Sequence, residues 1–186
     1  MGPPGAGKGT QAKFVAERLL VPAISTGDIF RVNVSEGTEL GVKAQGYMDA
    51  GEYVPDELTN LMVRNRIDED DAGRGFLLDG YPRTLAQVEE LDGMIRHTGH
   101  ALDAVVVLTV DSEELVQRLL ERAKNEGRAD DTEDVVRRRQ EVYEEQTAPL
   151  IDVYRERDLL IEVDGMGDVD EVTQRIFDAL SGVTES

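Results

Sequence analysis

The chain has 186 residues, which suits one compact domain, and its 40% hydrophobic and 32% charged residues exclude a disordered protein. No apolar run approaches the roughly 20 residues of a membrane span, no secretory signal is recognisable, and the lack of cysteine excludes disulfides, thiolate zinc sites and cysteine nucleophiles, so we expect a cytoplasmic protein. A net charge of −19 repels nucleic acid and anionic lipid, so neither nucleic acid nor a membrane is an expected partner.

Hydrophobic spacing and turn residues predict twelve helices and strands after an opening loop. In chain order they are a loop at 2–9, a helix at 8–20, a strand at 21–24, helices near 27–35, 38–50 and 55–70, a strand at 75–80, a helix near 84–98, a strand at 104–110, helices near 112–126 and 133–157, a strand at 159–163 and a helix at 169–181. The first helix has four candidate buried residues, which are Phe14, Val15, Leu19 and Leu20.

The alternation of strands with helices predicts an α/β fold with a parallel sheet. Residues 104–110 are apolar on both faces, as a parallel strand covered by helices requires. The helices between 27 and 70 follow one another without a strand, so we expect them to form a small helical excursion from the sheet.

The opening loop fits the phosphate-binding pattern G-x-x-x-x-G-K over residues 2–8. Its glycines let successive backbone N–H groups face phosphate oxygens, and the following helix directs its positive end to the same place. Lys8 then reaches the β and γ phosphates. Gly9 stands where Ser or Thr is usual, with Thr10 one place later, and only Met1 stands where a buried strand normally precedes the loop.

Three further segments complete a pattern with this loop: residues 25–31, residues 79–84, and residues 127–131 together with Arg139. In their order and spacing the four segments resemble adenylate kinases of the bacterial type, and the resemblance covers essentially the whole chain. It implies a magnesium-dependent enzyme that catalyses ATP + AMP = 2 ADP. It also implies a monomer, with one P-loop kinase domain over 1–186, a nucleoside-monophosphate-binding region at 25–54 and a short lid at 121–131.

The resemblance also assigns roles to single residues. The ATP site would comprise Gly5, Ala6, Gly7, Lys8, Gly9, Thr10, Arg118, Arg122 and Gly167. The AMP site would comprise Thr26, Arg31, Glu52, Tyr53, Val54, Gly80, Tyr81, Pro82, Arg83, Gln87, Arg128 and Arg139. The catalytic groups would be Lys8, Asp79, Arg83, Arg122, Arg128 and Arg139, with Asp79 holding Mg²⁺ mostly through water.

The residue types suit this chemistry without reference to any family. Phosphoryl transfer needs positioning and charge neutralisation more than covalent catalysis, and a phosphate acceptor is already anionic at neutral pH. Arginines in the motif segments can grip phosphate in a fork. The two histidines, His97 and His100, fall near a predicted helix end and are expected at the surface.

Three departures from the family pattern affect these expectations. The family's sheet has the order 2-3-1-4-5, and its central strand 1 is apparently truncated here, so we expect the chain to be unstable or inactive unless residues precede Met1. Only five residues separate Arg122 from Arg128, which indicates the short lid without a zinc knuckle, and hence no zinc. Tyr81 stands where the family more often has Phe.

Two other functions remain open at this point. A UMP/CMP kinase would tend to have Ala at Thr26 and Asn at Thr84, whereas Thr26 and Gln87 favour adenine. The truncated strand leaves open a non-catalytic nucleotide-binding fragment. Single residues also have plainer explanations: Arg31 and Arg83 could be surface residues, Asp79 could cap a helix, and residues 137–139 could be the solvated face of a helix.

Overall fold

The computed structural model describes residues 1–111, 114–115, 117–119 and 132–183. Its helices, numbered in chain order, are α1 (Lys8–Leu19), α2 (Thr26–Glu36), α3 (Glu39–Asp49), α4 (Asp56–Ile67), α5 (Leu85–Thr98), α6 (Glu133–Val142), α7 (Leu150–Glu156) and α8 (Val169–Leu180). Its strands are β1 (Ala23–Ser25), β2 (Leu77–Asp79), β3 (Val105–Thr109) and β4 (Leu160–Asp164). A 3₁₀ turn covers Asp70–Ala72 and a π-helical turn covers Tyr143–Thr147. The α/β class is therefore confirmed.

Local side-chain caps explain where several helices begin. The Ser25 hydroxyl accepts from the backbone N–H of Asp28 at the start of α2, and the Thr38 hydroxyl accepts from the N–H of Gly41 at the start of α3. The Thr84 hydroxyl does the same for the N–H of Gln87 in α5. Each cap satisfies an N–H that has no partner within its helix.

The predicted helix at 133–157 is wrong as a single element. The structure divides it into α6, the π-helical turn and α7. In the turn, the N–H of Ala148 bonds to the carbonyl of Tyr143, and Pro149, which has no N–H to donate, immediately precedes α7. Of the predicted helix at 112–126, residues 114–115 and 117–119 are helical, and the rest lies outside the described residues.

The buried face of α1 also differs from the prediction. The helix buries Gln11, Ala12, Val15 and Ala16, whereas Phe14 and Leu19 are each 41% exposed and Leu20 is 80% exposed. The prediction from hydrophobic spacing is therefore wrong for Phe14, Leu19 and Leu20 and right for Val15. The helix is held instead partly by polar contacts, since the Gln11 amide donates to the carbonyl of Val169 and accepts from the Thr173 hydroxyl of α8.

The described strands form two parallel pairs. β1 pairs with β2, with Ser25 opposite Asp79, and β3 pairs with β4, with Thr109 opposite Asp164. In the family's order 2-3-1-4-5, strands 2 and 3 pair on one side of strand 1, and strands 4 and 5 pair on the other. The two pairs β1–β2 and β3–β4 are consistent with that order, but the five-stranded order itself stays a prediction. Beside β3, Met1 accepts from the N–H of Leu108 at 3.0 Å, and its amino group donates to the carbonyl of Val106.

The β3–β4 pair lies between helices. Side chains that alternate along the strands explain this arrangement, since residues two apart share a face. Val106 and Leu108 pack with residues of α1 and α8, while Val105 packs with residues of α5 and α7. A separate core joins α2, α3 and α4 to α5 around Phe30, Val63 and Leu91. Within the described ranges, no helix is long and apolar enough to cross a membrane.

Candidate active site

The opening loop leads directly into α1. Gly7 caps this helix in the left-handed region, with φ 86°, a conformation that costs other residues energy but suits glycine. The first turn of α1 contains no acidic residue, so no charge within that turn offsets the positive end of the helix dipole. Two side chains hold the loop: the Lys8 ammonium donates to the carbonyl of Pro3 and the Gln140 amide donates to the carbonyl of Pro4, each at 2.9 Å.

The loop forms one wall of a cleft of about 420 Å³. The cleft collects most of the predicted site residues from distant parts of the chain. Those that line it are Gly5, Gly7, Lys8, Gly9, Thr10, Thr26, Arg31, Glu52, Tyr53, Val54, Asp79, Gly80, Tyr81, Pro82, Arg83, Gln87, Arg118 and Arg139. Ala6 belongs to the same loop but is buried behind it.

Asp79 ends β2 beside the phosphate loop. Its carboxylate accepts from the Ser25 hydroxyl at 3.3 Å, and a Cβ placed on Gly9 would lie 3.4 Å from its Oδ2 atom. Asp79 caps no helix, because Thr84 caps α5. A single carboxylate facing a phosphate loop suits Mg²⁺, which keeps several waters and shares its site with substrate phosphates. In the described ranges, no three His, Cys, Asp or Glu side chains group closely enough to hold a metal alone.

Residues 80–83 form a second wall of the cleft. The Gly80 carbonyl accepts from the Thr26 hydroxyl at 2.9 Å and from Arg83 Nε at 2.7 Å. Gly80 has φ 77°, and a Cβ there would lie 2.8 Å from both of these side chains, so only glycine fits. The Arg83 guanidinium also lies over the Tyr53 ring, 4.9 Å from its centroid. Arg83 is therefore oriented before any ligand arrives.

Thr147, in the π-helical turn, contacts the wall formed by residues 80–83. Its hydroxyl donates to the carbonyl of Arg83 at 2.8 Å and lies 2.7 Å from the Tyr53 hydroxyl. Since the threonine proton is used on Arg83, the tyrosine hydroxyl is the donor in the second pair.

Gln87 lies at the floor of the cleft with 1% of its surface exposed. Its Oε1 accepts from the backbone N–H of Arg83 and its Nε2 donates to Asp56 Oδ1, both at 2.7 Å. The other oxygen of Asp56 accepts from the Thr84 hydroxyl at 2.9 Å. This network joins the first turn of α4 to the first turn of α5.

Four predicted residues make other contacts or lie elsewhere. Arg31 pairs with Asp28, and Arg118 pairs with Glu114 and donates to the carbonyl of Gly165 at 3.1 Å. Gly167 does not line this cleft. Arg139 approaches the carbonyl of Met48 at 3.4 Å. Arg122 and Arg128, like the predicted lid at 121–131, lie outside the described residues, so their roles stay predictions.

The three arginines at 137–139 make different contacts. Arg137 pairs with Glu133 on the surface, where its side chain is 70% exposed. Arg138 pairs with Glu52 at 2.6 Å, and the hydrogen bonds that it donates to Glu52 and Glu141 raise its pKa above the usual range. Glu52, predicted at the AMP site, thus uses its carboxylate to join the excursion to α6.

Burial shifts the titration of several groups lining the cleft. Burial, with a smaller contribution from Glu144, raises the pKa of Tyr143 to about 12. Burial, with a smaller contribution from the Asp56 carboxylate, also raises the pKa of Tyr81. Burial and the nearby Lys8 ammonium lower the pKa of the Met1 amino group to about 5. These tyrosines thus stay protonated near pH 7. His97 is exposed and His100 packs edge-on against Phe76, so neither lines the cleft.

Sequence reasoning missed three residues that hold the site together, namely Asp56, Thr147 and Gln140. Their contacts span 31, 64 and 136 residues respectively. Asp56 follows Pro55 in a predicted first turn, where an acidic residue is usually read only as a partner of the helix dipole. No local pattern indicates any of the three contacts.

The chain is similar in sequence to known proteins. The family model described as adenylate kinase matches residues 1–159. An adenylate kinase of Nocardioides sp. strain JS614 is 75% identical over 186 residues, covering 100% of this chain and 97% of that protein. Adenylate kinases of Kocuria rhizophila and Thermobifida fusca are 61% and 59% identical, each over 97% of this chain and over 96% and 95% of their own lengths.

Proposed function

Because the chain belongs to the adenylate kinase family, we propose that its cleft catalyses the reversible transfer of a phosphoryl group between ATP and AMP, giving two ADP. The observation that carries the proposal is that the phosphate loop and residues 80–83 line one cleft. Two phosphate-binding walls around one space let a donor and an acceptor phosphate meet directly, which is the main requirement of this chemistry.

The phosphate loop is proposed to bind ATP. The phosphates would lie against residues 5–10 at the positive end of α1, and Lys8 would leave the Pro3 carbonyl to contact the β and γ phosphates. Arg118 is proposed to flank the adenine. Asp79 would hold Mg²⁺ with the phosphates, and the bound metal would supply charge neutralisation.

The second wall is proposed to bind AMP. Arg83, already oriented by Gly80 and Tyr53, grips the acceptor phosphate in a fork. Thr26 and Gln87 lie on the floor near the base. Arg139, together with Arg122 and Arg128 on grounds of resemblance, would neutralise charge between the two substrates. No general base is needed, because the acceptor oxygen is anionic at neutral pH.

Water would otherwise accept the phosphoryl group, so the cleft must close around both nucleotides. We propose that residues 25–54 and the lid at 121–131 provide this closure within a single domain over 1–186. The enzyme is proposed to be a cytoplasmic monomer without zinc.

The test is a coupled assay of ADP formation from ATP with AMP, CMP or UMP, each with and without Mg²⁺. We expect rapid turnover with AMP, little with CMP or UMP, and none after chelation of the metal. Preference for CMP or UMP would favour the alternative of a UMP/CMP kinase, and equal rates without Mg²⁺ would contradict the role of Asp79.

A further inference from the structure

We propose that Asp56 is a positioning residue that sets the purine selectivity of the AMP site by fixing the orientation of the Gln87 amide. The inference rests on the proposed function, since it assigns selectivity to the same cleft. Asp56 Oδ1 lies 2.7 Å from Gln87 Nε2, and Gln87 is among the most deeply buried side chains of the molecule.

The chemistry of its partners forces this amide into one orientation. A carboxylate only accepts hydrogen bonds, so Asp56 must face the amide NH₂ group. The backbone N–H of Arg83 only donates, so it must face the amide oxygen. Rotating the amide by half a turn would place its oxygen against the Asp56 carboxylate, so that two acceptors face each other. It would also place the NH₂ group against the Arg83 N–H, so that two donors face each other. Since Gln87 is 1% exposed, water cannot satisfy the groups that such a rotation would leave unpaired.

Asp56 is itself held in place. Its second oxygen accepts from the Thr84 hydroxyl, and the same hydroxyl accepts from the N–H of Gln87 at 3.2 Å. The carboxylate, the hydroxyl and the glutamine therefore form a closed ring of hydrogen bonds. Such a ring transmits the orientation of α4 to the amide in α5 without contacting a ligand.

The fixed amide retains one N–H and one oxygen lone pair for a base. A 6-aminopurine presents a ring-nitrogen acceptor next to an amino donor, which is complementary to that pair. A 6-oxopurine presents a ring N–H donor next to a carbonyl acceptor, and it would need the rotated amide. Sites that read hydrogen-bonding groups with buried partners reject the wrong analogue strongly, because those partners are left unpaired. Asp56 would thus favour AMP over inosine monophosphate (IMP), its 6-oxo analogue.

The test compares kcat/KM for AMP and for IMP in the wild type, Asp56→Asn and Glu57→Gln. Asparagine has nearly the same shape as aspartate but can donate, so it removes the penalty at position 56 for the rotated amide and leaves only the penalty at the Arg83 N–H. Glu57 is the exposed neighbour in the same helical turn, so Glu57→Gln matches the loss of charge there. We expect the AMP-to-IMP ratio to fall by about tenfold or more in Asp56→Asn, the effect of one hydrogen bond to a charged group, and to stay unchanged in Glu57→Gln.

Asp56→Glu separates orientation from packing. It keeps an acceptor-only carboxylate but adds a methylene, so a purely structural role would make it the more damaging change. We expect it to retain the selectivity that Asp56→Asn loses. If Asp56→Asn does not fold, Asp56→Ser removes the carboxylate while keeping a hydroxyl that can donate or accept, and it is expected to lower the ratio similarly.

An unchanged ratio in the variant lacking the carboxylate would overturn the proposal, as would equal loss of both activities or equal loss of selectivity in Asp56→Glu. Dissociation constants for AMP and IMP, measured by calorimetry without ATP, give the same ratio without turnover. An inactive wild type would therefore contradict the proposed function alone, whereas equal AMP and IMP affinities in the wild type would contradict the role of Asp56.

Discussion

At the residue scale, Arg83 shows how the cleft orients a flexible side chain. Its Nε donates to Gly80, its guanidinium stacks over Tyr53, and its backbone is held on both sides by Gln87 and Thr147. Long side chains lose rotamer freedom when they bind a ligand, and a side chain already held in place loses less. This preparation makes Arg83 a stronger candidate for phosphate contact than an arginine free at the surface.

We predict that Arg83→Ala lowers kcat by about 10²- to 10³-fold, on the order of 3 kcal/mol, the usual loss for one preorganised contact to developing charge. Lys8→Met is expected to have an effect of similar size from the other wall. Both variants should keep the wild-type circular dichroism spectrum. Steady-state kinetics with both substrates saturating provides the measurement.

Arg137→Ala is the matched control, because it also removes a guanidinium, and within the described ranges Arg137 pairs only with Glu133 on the surface. Its kcat should equal that of the wild type, since exposed pairs contribute little. Near-normal kcat in Arg83→Ala, or a similar loss in Arg137→Ala, would mean that the assigned role of Arg83 is wrong.

Short motifs predict which residues line the cleft where a local turn fixes the backbone. Gly7 and Gly80 each adopt a left-handed backbone conformation within a recognisable sequence motif, and residues close to them in sequence line the cleft. Residues whose contact depends on tertiary packing give no such signal. The Arg138–Glu52 pair spans 86 residues, and the surface role of Arg137 looks the same in sequence as the role of its neighbour.

At the element scale, residues 48–52 of the helical excursion contact α6. Arg138 binds Glu52, and Arg139 approaches the carbonyl of Met48. Gly51 approaches the same helix, where a Cβ would lie 2.9 Å from the carbonyl of Val135. Movement of residues 25–54 over the cleft would have to break or rearrange these contacts with α6.

We predict that a dinucleoside pentaphosphate carrying an adenosine at each end slows amide hydrogen exchange over α3 and residues 50–54. The ligand would occupy both walls and hold the excursion against α6. Mass-spectrometric exchange with and without the ligand measures the effect, and α8, which does not line the cleft, is the internal control. Equal exchange of α3 in both states, or protection equal to that of α8, would contradict closure.

Element types follow from the sequence more reliably than their limits. The strands at 105–109 and 160–164 each begin and end within one residue of the predicted ranges, because a short hydrophobic segment between polar residues leaves little choice of strand limits. The long helix before β4 was mispredicted because its hydrophobic spacing continues past the point where the hydrogen bonds shift to a π pattern ahead of Pro149.

At the scale of the whole molecule, the cleft adjoins both main cores. One core packs the β3–β4 pair against α1 and α8, and the other packs the excursion against α5. The phosphate loop belongs to the first, since Ala6 packs there, and Tyr81 belongs to the second. Relative movement of the two cores would therefore bring the ATP and AMP walls together. Composition alone predicts none of this, and the α/β class is predicted from the alternation of strands with helices.

The central claim is that one cleft holds both nucleotides at once. Calorimetric titration with the dinucleoside pentaphosphate tests it most directly, because the ligand spans both sites in a single molecule. We predict one ligand bound per chain, more tightly than ATP or AMP alone, with weaker binding in both Lys8→Met and Arg83→Ala. Two ligands per chain, or an affinity no higher than that of ATP and unaffected by Arg83→Ala, would contradict the account.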